Sequence, residues 1–72
     1  MIKKGNIIKI GNNVVSELIK LGFEKGVAKS MKVFEGTTQT AHDIWEKDGV
    51  KYITVDLCCE IPMQCCKGVK YA

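Results

Sequence analysis

The sequence of 72 residues is 46% hydrophobic and 26% charged, which is the balance of an ordinary globular domain. No apolar run comes near the roughly 20 residues that span a bilayer, and the N-terminal segment has neither the long apolar core nor the cleavage pattern of a signal peptide. We therefore expect one small domain over residues 1–72, in the reducing cytoplasm and away from membranes, where cysteines remain thiols unless they bind a metal.

The charges are distributed unevenly along the chain. Residues 1–32 hold seven lysines and two glutamates, a net charge of +5, whereas residues 33–72 hold four lysines and six acidic residues, a net charge of −2. A basic half of this kind favours an acidic partner. All eleven basic residues are lysines, whereas base-specific recognition of DNA usually relies on the planar guanidinium of arginine. The composition therefore disfavours sequence-specific DNA binding and leaves non-specific phosphate contact open.

The first half of the chain predicts one strand and one short helix. Three isoleucines around Lys9 indicate a strand over residues 7–10. Apolar residues at spacings of three and four then predict a helix over residues 13–21, which Gly22 ends in a left-handed conformation. Residues 24–30 are compatible with a helical turn or two, residues 31–34 with a strand and residues 36–38 with a turn.

The second half contains a β-hairpin signal. Two β-rich runs, residues 40–45 and 51–57, flank Asp48-Gly49, and an Asp-Gly pair is a strong hairpin signal because both residues of its turn need a positive φ. Opposite charges, two aromatic rings and two aliphatic side chains then face each other in successive pairs, which stabilises a sheet. The predicted pairs are Lys47 with Val50, Glu46 with Lys51, Trp45 with Tyr52, Ile44 with Ile53, Asp43 with Thr54 and His42 with Val55.

This register divides the side chains between two faces. Trp45 and Tyr52 lie on one face of the predicted sheet. Further along the chain, Pro62 is predicted to end the strand pairing because it has no N–H to donate. Residues 63–66 are then predicted to form a 3₁₀ turn and residues 69–71 a closing strand. The other face, which we expect to form the core, carries Ile44, Ile53, Val55, Leu57, Cys59 and Ile61.

The succession of a strand, an Asp-Gly hairpin, the tripeptide Glu-Ile-Pro, a short turn and a closing strand over residues 40–72 resembles the C-terminal half of a small SH3-like barrel. We therefore predict an α+β fold with a small, bent antiparallel sheet, an SH3-like partial barrel, and one short helix inserted after the first strand. The resemblance concerns the fold alone and implies no activity.

All four cysteines fall within nine residues, at positions 58, 59, 65 and 66. Zinc sites usually use pairs of cysteines separated by two to four residues, whereas adjacent cysteines on a strand point to opposite faces. One cysteine of each pair could still join His42, which gives a zinc hypothesis on Cys59, Cys65, Cys66 and His42. The preferred interpretation is that these thiols pack as small hydrophobic side chains.

Two groups of residues are candidates for binding a partner. Trp45 and Tyr52 form either a binding platform or a second small core under the helix. Lysines in the basic half form either a solvated face or a contact with an acidic protein surface or nucleic acid. These lysines are Lys20, Lys25, Lys29 and Lys32.

No pair of carboxylates, nucleophile with its base, or phosphate-binding glycine loop is evident, so we expect no enzyme. The hypothesis we favour is a non-enzymatic protein that binds a macromolecule, with protein favoured over nucleic acid as the partner and self-association left open. In general type it is similar to small accessory proteins of phages and mobile elements, including inhibitors of host nucleases. The alternatives are a nucleic-acid-binding SH3-like module that uses the lysine-rich half, and a small zinc-stabilised domain.

Overall fold

A computed structural model describes residues 2–56 and 59–69 and has an α+β architecture. It contains two α helices and two three-stranded antiparallel sheets, joined by turns and two short 3₁₀ helices. In chain order these are β1 (Ile7–Ile10), α1 (Val14–Lys20), α2 (Lys25–Ser30), the 3₁₀ helix η1 (Met31–Phe34), β2 (Thr38–Thr40), β3 (Asp43–Lys47), β4 (Val50–Val55), β5 (Cys59–Pro62), the 3₁₀ helix η2 (Met63–Cys65) and β6 (Cys66–Gly68).

The strands form two sheets where the sequence predicts one bent sheet. Sheet A has the order β2-β1-β6, and sheet B has the order β3-β4-β5. Within the described residues, no closed or curled barrel is detected. The chain passes from sheet A to sheet B at Ala41 and His42, between β2 and β3, and returns through η2. The α+β class is thus confirmed, and the single sheet is replaced by two.

Sheet B has the predicted hairpin register. Five pairs between β3 and β4, from Asp43 with Thr54 to Lys47 with Val50, are the predicted ones. Asp48 and Gly49 form the loop with φ values of 52° and 80°, as a type I′ turn requires. Pro62 is the last residue of β5, opposite Tyr52, so the strand pairing ends at the proline.

Sheet A brings together segments that are distant in the sequence. β1 is its central strand, between β2 and β6. The closing strand begins at Cys66, three residues earlier than predicted, because the backbone is already extended there as η2 ends and Cys66 pairs with Ile10. Of the predicted segment, Val69 still donates its N–H to Ile7 at 3.0 Å, and residues 70 and 71 lie outside the described residues.

The helical layer, formed by α1, α2 and η1, differs from the prediction in two respects. Two α helices follow the first strand where one short helix is predicted, because the chain after Gly22 starts a second helix at Lys25. α1 lies within the predicted bounds, and Gly22 follows it with a φ of 95°. Residues 31–34 form the 3₁₀ helix η1 and not a strand. The chain enters η1 directly from α2, because Ser30 keeps a helical backbone, and this path buries Phe34. The local sequence of residues 31–34 is compatible with a strand or a helix, and packing of the Phe34 ring favours the helix.

One hydrophobic core joins both sheets and the helical layer. Ile53 and Val55 are fully buried, as predicted, and Ile44 is half-buried against the same core. The predicted core residue Leu57 lies outside the described residues. The buried residues of this core are Ile8, Ile10, Val14, Leu18, Ala28, Phe34, Ala41, Ile53, Val55, Ile61 and Cys65.

Candidate partner-binding surface

The predicted aromatic pair forms a stack on the outer face of sheet B. The ring centroids of Trp45 and Tyr52 are 4.7 Å apart with an interplanar angle of 21°. Trp45 Nε1 donates a hydrogen bond to Thr54 Oγ1 at 3.2 Å, which fixes the indole over the neighbouring strand. The edge of the Phe23 ring lies against Tyr52, with 6.0 Å between the centroids. These three rings form one aromatic cluster.

The aromatic cluster covers most of the platform that the sequence suggests. Tyr52 is only 5% exposed, whereas Trp45 is half-buried. Phe23, in the loop after α1, provides part of this cover. A partner therefore has direct access mainly to Trp45, while Tyr52 supports the indole from below.

Exposed apolar side chains are concentrated in the helical layer. Among the described residues, all four large hydrophobic side chains that are exposed lie between positions 19 and 33, and we call the exposed side chains of residues 19–33 the helical face. These four are Ile19 at 45%, Phe23 at 38%, Val27 at 46% and Val33 at 73%. A concentration of exposed apolar surface in a small protein is a common sign of an interaction site.

A groove of about 450 Å³ runs beside α1. Its apolar residues are Val15 and Ile19, four positions apart and therefore on one side of the helix. Val14 and Leu18, one position earlier in each case, are buried in the core. The remaining lining residues are Asn12, Ser16, Lys29, Lys32 and Glu35.

Glu35 holds one end of this groove in place. Its Oε2 accepts a hydrogen bond from the backbone N–H of Val15 at 3.1 Å, in the first turn of α1. This bond satisfies one of the donors that a helix leaves open at its start, while the side chain of Asn13, before the helix, makes no such bond. The carboxylate therefore ties the end of η1 to the start of α1.

The four predicted partner-binding lysines are all exposed and belong to the helical layer or its connection. Lys29 and Lys32 line the groove, whereas Lys20 and Lys25 lie on the same layer outside its lining. Residues 19–33 contain these four lysines and one glutamate, a net charge of +3. The sequence thus indicates the charge of the helical face. It also indicates the apolar part of the groove, because Val15 and Ile19 are apolar residues four positions apart on one side of α1.

The residues of the zinc hypothesis are not gathered into one site. Within residues 2–56 and 59–69, no group of three or more histidine, cysteine or acidic side chains is placed to hold a metal ion. His42 is exposed in the connection between β2 and β3, and Cys59 lies in β5 opposite Val55. Cys65 is buried, while the Cys66 thiol lies 3.7 Å from the backbone oxygen of Pro62. Cys58 lies outside the described residues.

The two thiols at the end of η2 are held in their neutral form. Burial raises the pKa of Cys65 to about 11, helped by the negative charges of Glu17 and Glu35. Burial also raises the pKa of Cys66 to about 12, with a further contribution from Cys65. Because the thiolate is the form that attacks electrophiles and binds metals, these two side chains act as packing residues at neutral pH.

The chain shows no significant similarity to known proteins. No known protein family matches the chain, and neither a curated protein nor a solved structure is significantly similar to it. Among the helices of the described residues, none is long and apolar enough to cross a membrane. Among the described residues, the helical face, which is both apolar and basic, is therefore the main candidate for a binding surface.

Proposed function

We propose that this protein is a non-enzymatic binding module that recognises a segment of another protein through its helical face. The observation that carries this proposal is the placement of all four exposed large hydrophobic side chains of the described residues within residues 19–33. In a chain of 72 residues, hydrophobic side chains are needed for the core, since small domains bury a low fraction of their surface. Their exposure on one layer is best explained by a partner that covers them.

The groove defines the chemistry of that partner. It is lined by the apolar side chains of Val15 and Ile19 together with the charged side chains of Lys29 and Lys32. Apolar side chains enter such a groove while carboxylates at the rim pair with the ammonium groups, as in helix-in-groove recognition. The proposed partner segment is therefore apolar on one side and acidic at its border.

A protein partner fits this surface better than nucleic acid does. Binding to a phosphate backbone relies on cationic contacts alone and needs no apolar floor. The only aromatic ring of the helical face, Phe23, has its edge against Tyr52, so it offers no free stacking platform for bases. Nucleic-acid binding by the lysine-rich half remains the second candidate because the same face has a net charge of +3.

We propose no catalytic activity, because the thiols of Cys65 and Cys66 are in the protonated form. The raised pKa values of Cys65 and Cys66 keep both thiols protonated at neutral pH, and a catalytic cysteine needs the opposite shift. Free thiols of this kind fit a reducing compartment such as the cytoplasm. The general type we propose is a small accessory protein of a phage or mobile element that inhibits its target by occupying a surface.

An SH3-like arrangement is the finer description that we propose for the fold. It is supported by the closeness of β2 and β3, which only Ala41 and His42 separate, so that one bent strand region contributes to both sheets. It is also supported by the 3₁₀ helix η2 between β5 and β6, and by the pairing of β6 with β1. In this description α1, α2 and η1 occupy the first long connection.

The proposal is tested with substitutions that change the helical face and leave the core intact. Affinity-tagged protein is used to isolate a partner from the native host, and the purified partner is then measured directly against variants. We expect Ile19→Ser and the double variant Lys29→Glu/Lys32→Glu each to weaken binding by at least about tenfold, which corresponds to about 1.4 kcal/mol. Lys51→Glu, on sheet B, is the control for a charge reversal away from the helical face, with half the charge change of the double variant, and should bind normally.

Equal binding by all of these variants would remove the helical face from the proposal. A short DNA duplex at low salt tests the nucleic-acid alternative, since binding that falls steeply with salt is the mark of phosphate contacts. The zinc alternative is tested by elemental analysis of protein purified without chelator, together with its thermal unfolding in EDTA.

A further inference from the structure

Two lysines face each other directly on the outer side of sheet A. Lys9 in β1 pairs with Lys67 in β6. Hydrogen bonds join the backbone two positions away on either side, from Val69 N to Ile7 O at 3.0 Å and from Gly11 N to Cys65 O at 2.7 Å. Since bonded pairs alternate along an antiparallel ladder, Lys9 and Lys67 are also a hydrogen-bonded pair, with Cα atoms about 5.5 Å apart. Two positive side chains therefore leave the sheet side by side.

Nothing in the described residues neutralises this pair. The three strands of sheet A, with the sequences IIKI, TQT and CKG, contain no acidic residue. Lys9 and Lys67 are both exposed, and the next side chain across the sheet from Lys9 is the hydroxyl of Thr38. Like charges directly opposite each other destabilise a sheet, so the unliganded protein retains a repulsion that a bound anion would relieve.

A pocket of about 360 Å³ lies beside the two lysines. No carboxylate lines it, and it offers three carboxamide groups in addition to the two ammonium groups. The side chains of Asn12 and Asn13 make no hydrogen bond within the described residues, so their amide N–H groups are available as donors. The lining consists of Lys9, Ile10, Gly11, Asn12, Asn13, Gly36, Gln64, Cys65, Cys66 and Lys67.

Two glycines allow the backbone to lie close to the asparagine side chains at the pocket. A Cβ at Gly11 would lie 2.9 Å from Asn13 Oδ1 and 3.2 Å from the backbone oxygen of Cys65. A Cβ at Gly36, where φ is 76°, would lie 3.2 Å from Asn12 Oδ1. Larger residues at these two positions would push both asparagine side chains aside, so the glycines help to keep the carboxamides at the pocket.

Two acidic groups lie near the pocket without lining it. Glu17 and Glu35 are close enough to raise the pKa of the buried Cys65. The Glu35 carboxylate accepts a hydrogen bond from Val15 N in the neighbouring groove, and neither glutamate lines the pocket. The lysine pair therefore dominates the charge at the mouth of the pocket.

We propose that this pocket binds the phosphate group of a small ligand, between the ammonium groups of Lys9 and Lys67 and the carboxamides of Asn12 and Asn13. Two ammonium groups balance the charge of one phosphate monoester, which is close to a dianion at neutral pH. A polymer is disfavoured, because proteins that bind nucleic acid typically neutralise several phosphates, whereas sheet A contributes two lysines. This site shares Asn12 with the groove beside α1, but its two lysines lie on sheet A and the proposal does not depend on the helical face.

The test is thermal unfolding in pyrophosphate, with sodium chloride at matched ionic strength as the reference. Wild-type protein should unfold about 6–11 °C higher in pyrophosphate, since a ligand at about ten times its dissociation constant stabilises a small domain to this extent. Lys67→Gln should unfold at a higher temperature than wild type in chloride, because the repulsion is gone, and should lose the pyrophosphate shift. Lys9→Gln should behave in the same way, and the control Lys51→Gln should keep the shift.

Three results would overturn this site. One is an equal pyrophosphate shift in wild type and Lys67→Gln, since phosphate salts also stabilise proteins by exclusion from the surface. A second is a larger, steeply salt-dependent shift with a short DNA duplex, which would assign the lysines to a polymer. The third is a titration of wild-type protein, followed by amide NMR shifts, in which Gly11, Asn12, Asn13 and Gly36 do not move. That titration needs no variant and therefore stays decisive even if a substitution impairs folding.

Discussion

The two sheets have the same number of strands and opposite surface chemistry. Sheet B is built from one continuous stretch of chain closed by a tight turn, and its outer face is covered by the aromatic cluster. Its charged pair, Glu46 with Lys51, has opposite signs. Sheet A is assembled from three distant segments, its outer face is open, and its charged pair, Lys9 with Lys67, has like signs. Sheet B is thus arranged for stability, whereas sheet A keeps an unfavourable contact that a ligand could relieve.

The same division applies to the two proposed sites. The helical layer that carries the exposed apolar groove is inserted between β1 and β2, two strands of sheet A. The phosphate pocket lies at the end of β1 and the start of β6. Both sites therefore belong to the half of the molecule that is built from segments distant from one another in the sequence, whereas sheet B is formed by one continuous segment.

The largest effect is expected from removing the ring at the centre of the aromatic cluster. Tyr52→Ala should lower the free energy of unfolding by about 3 kcal/mol, as for other buried aromatic residues, because Tyr52 is stacked on Trp45 and contacted by Phe23. Ile7→Ala, on the open outer face of sheet A where Ile7 is half-buried, should cost clearly less. Urea unfolding of both variants measures the difference.

Tyr52→Phe is the control for this prediction. It keeps the ring, and no hydrogen bond of the Tyr52 hydroxyl is found within the described residues, so the variant should stay within about 1 kcal/mol of wild type. A loss in Ile7→Ala as large as in Tyr52→Ala would contradict the view that only sheet B has a covered outer face.

The register of the β3–β4 hairpin could be predicted pair by pair from Asp43 with Thr54 to Lys47 with Val50, because every signal for it is local. The Asp48-Gly49 turn fixes the pairing, and complementary partners such as Trp45 and Tyr52 agree with it. The division into two sheets could not be predicted in this way. It depends on the pairing of β1 with both β2 and β6, which lie far along the chain and have only three residues each.

The candidate sites were only partly predictable for a similar reason. The lysines of the helical face are evident as a cluster in the sequence, and the structure places two of them, Lys29 and Lys32, at the groove. By contrast, Lys9 and Lys67 are separated by most of the chain, and only the register of sheet A makes them neighbours. The path through η1 likewise follows from the burial of Phe34 and not from local propensity.

The junction between the two sheets should be sensitive to alkaline pH. In the folded protein the pKa values of Cys65 and Cys66 are raised to about 11 and about 12, whereas an unfolded chain has thiol pKa values of about 8.5. The stabilising effect of the neutral thiols is therefore complete below about pH 8.5 and is lost as the pH rises through the folded values.

We expect the midpoint of thermal unfolding to fall by several degrees between neutral pH and about pH 10.5. Cys65→Ala should show a shallower decline than wild type, even if it is less stable at neutral pH, because one of the two groups no longer titrates. Parallel pH profiles for the two proteins would contradict the assigned role of Cys65.

A pair of glycine substitutions should act with opposite signs in the two halves of the molecule. Gly49 has a φ of 80° in the hairpin turn of sheet B, so Gly49→Ala should destabilise the protein by about 1 kcal/mol. Gly26 lies in α2, where an added Cβ would meet only Glu24 Oε1 at an ordinary distance of 3.7 Å. Gly26→Ala should therefore be neutral or stabilising by up to about 1 kcal/mol. Urea midpoints at constant slope would measure both changes.

The smallest and most specific test reverses the sign of one charge in each sheet. Lys67→Glu converts the like-charged pair with Lys9 into an attractive one and should raise the unfolding midpoint by about 2–4 °C, whereas Lys51→Glu places two carboxylates opposite each other and should lower it by a similar amount. Both substitutions change the net charge equally, so general electrostatic effects cancel in the comparison. The difference between the two variants should shrink in high salt, because exposed charges are screened. Shifts of the same sign would show that the cross-strand pairs of Lys67 and Lys51 do not determine the electrostatics of the two sheets.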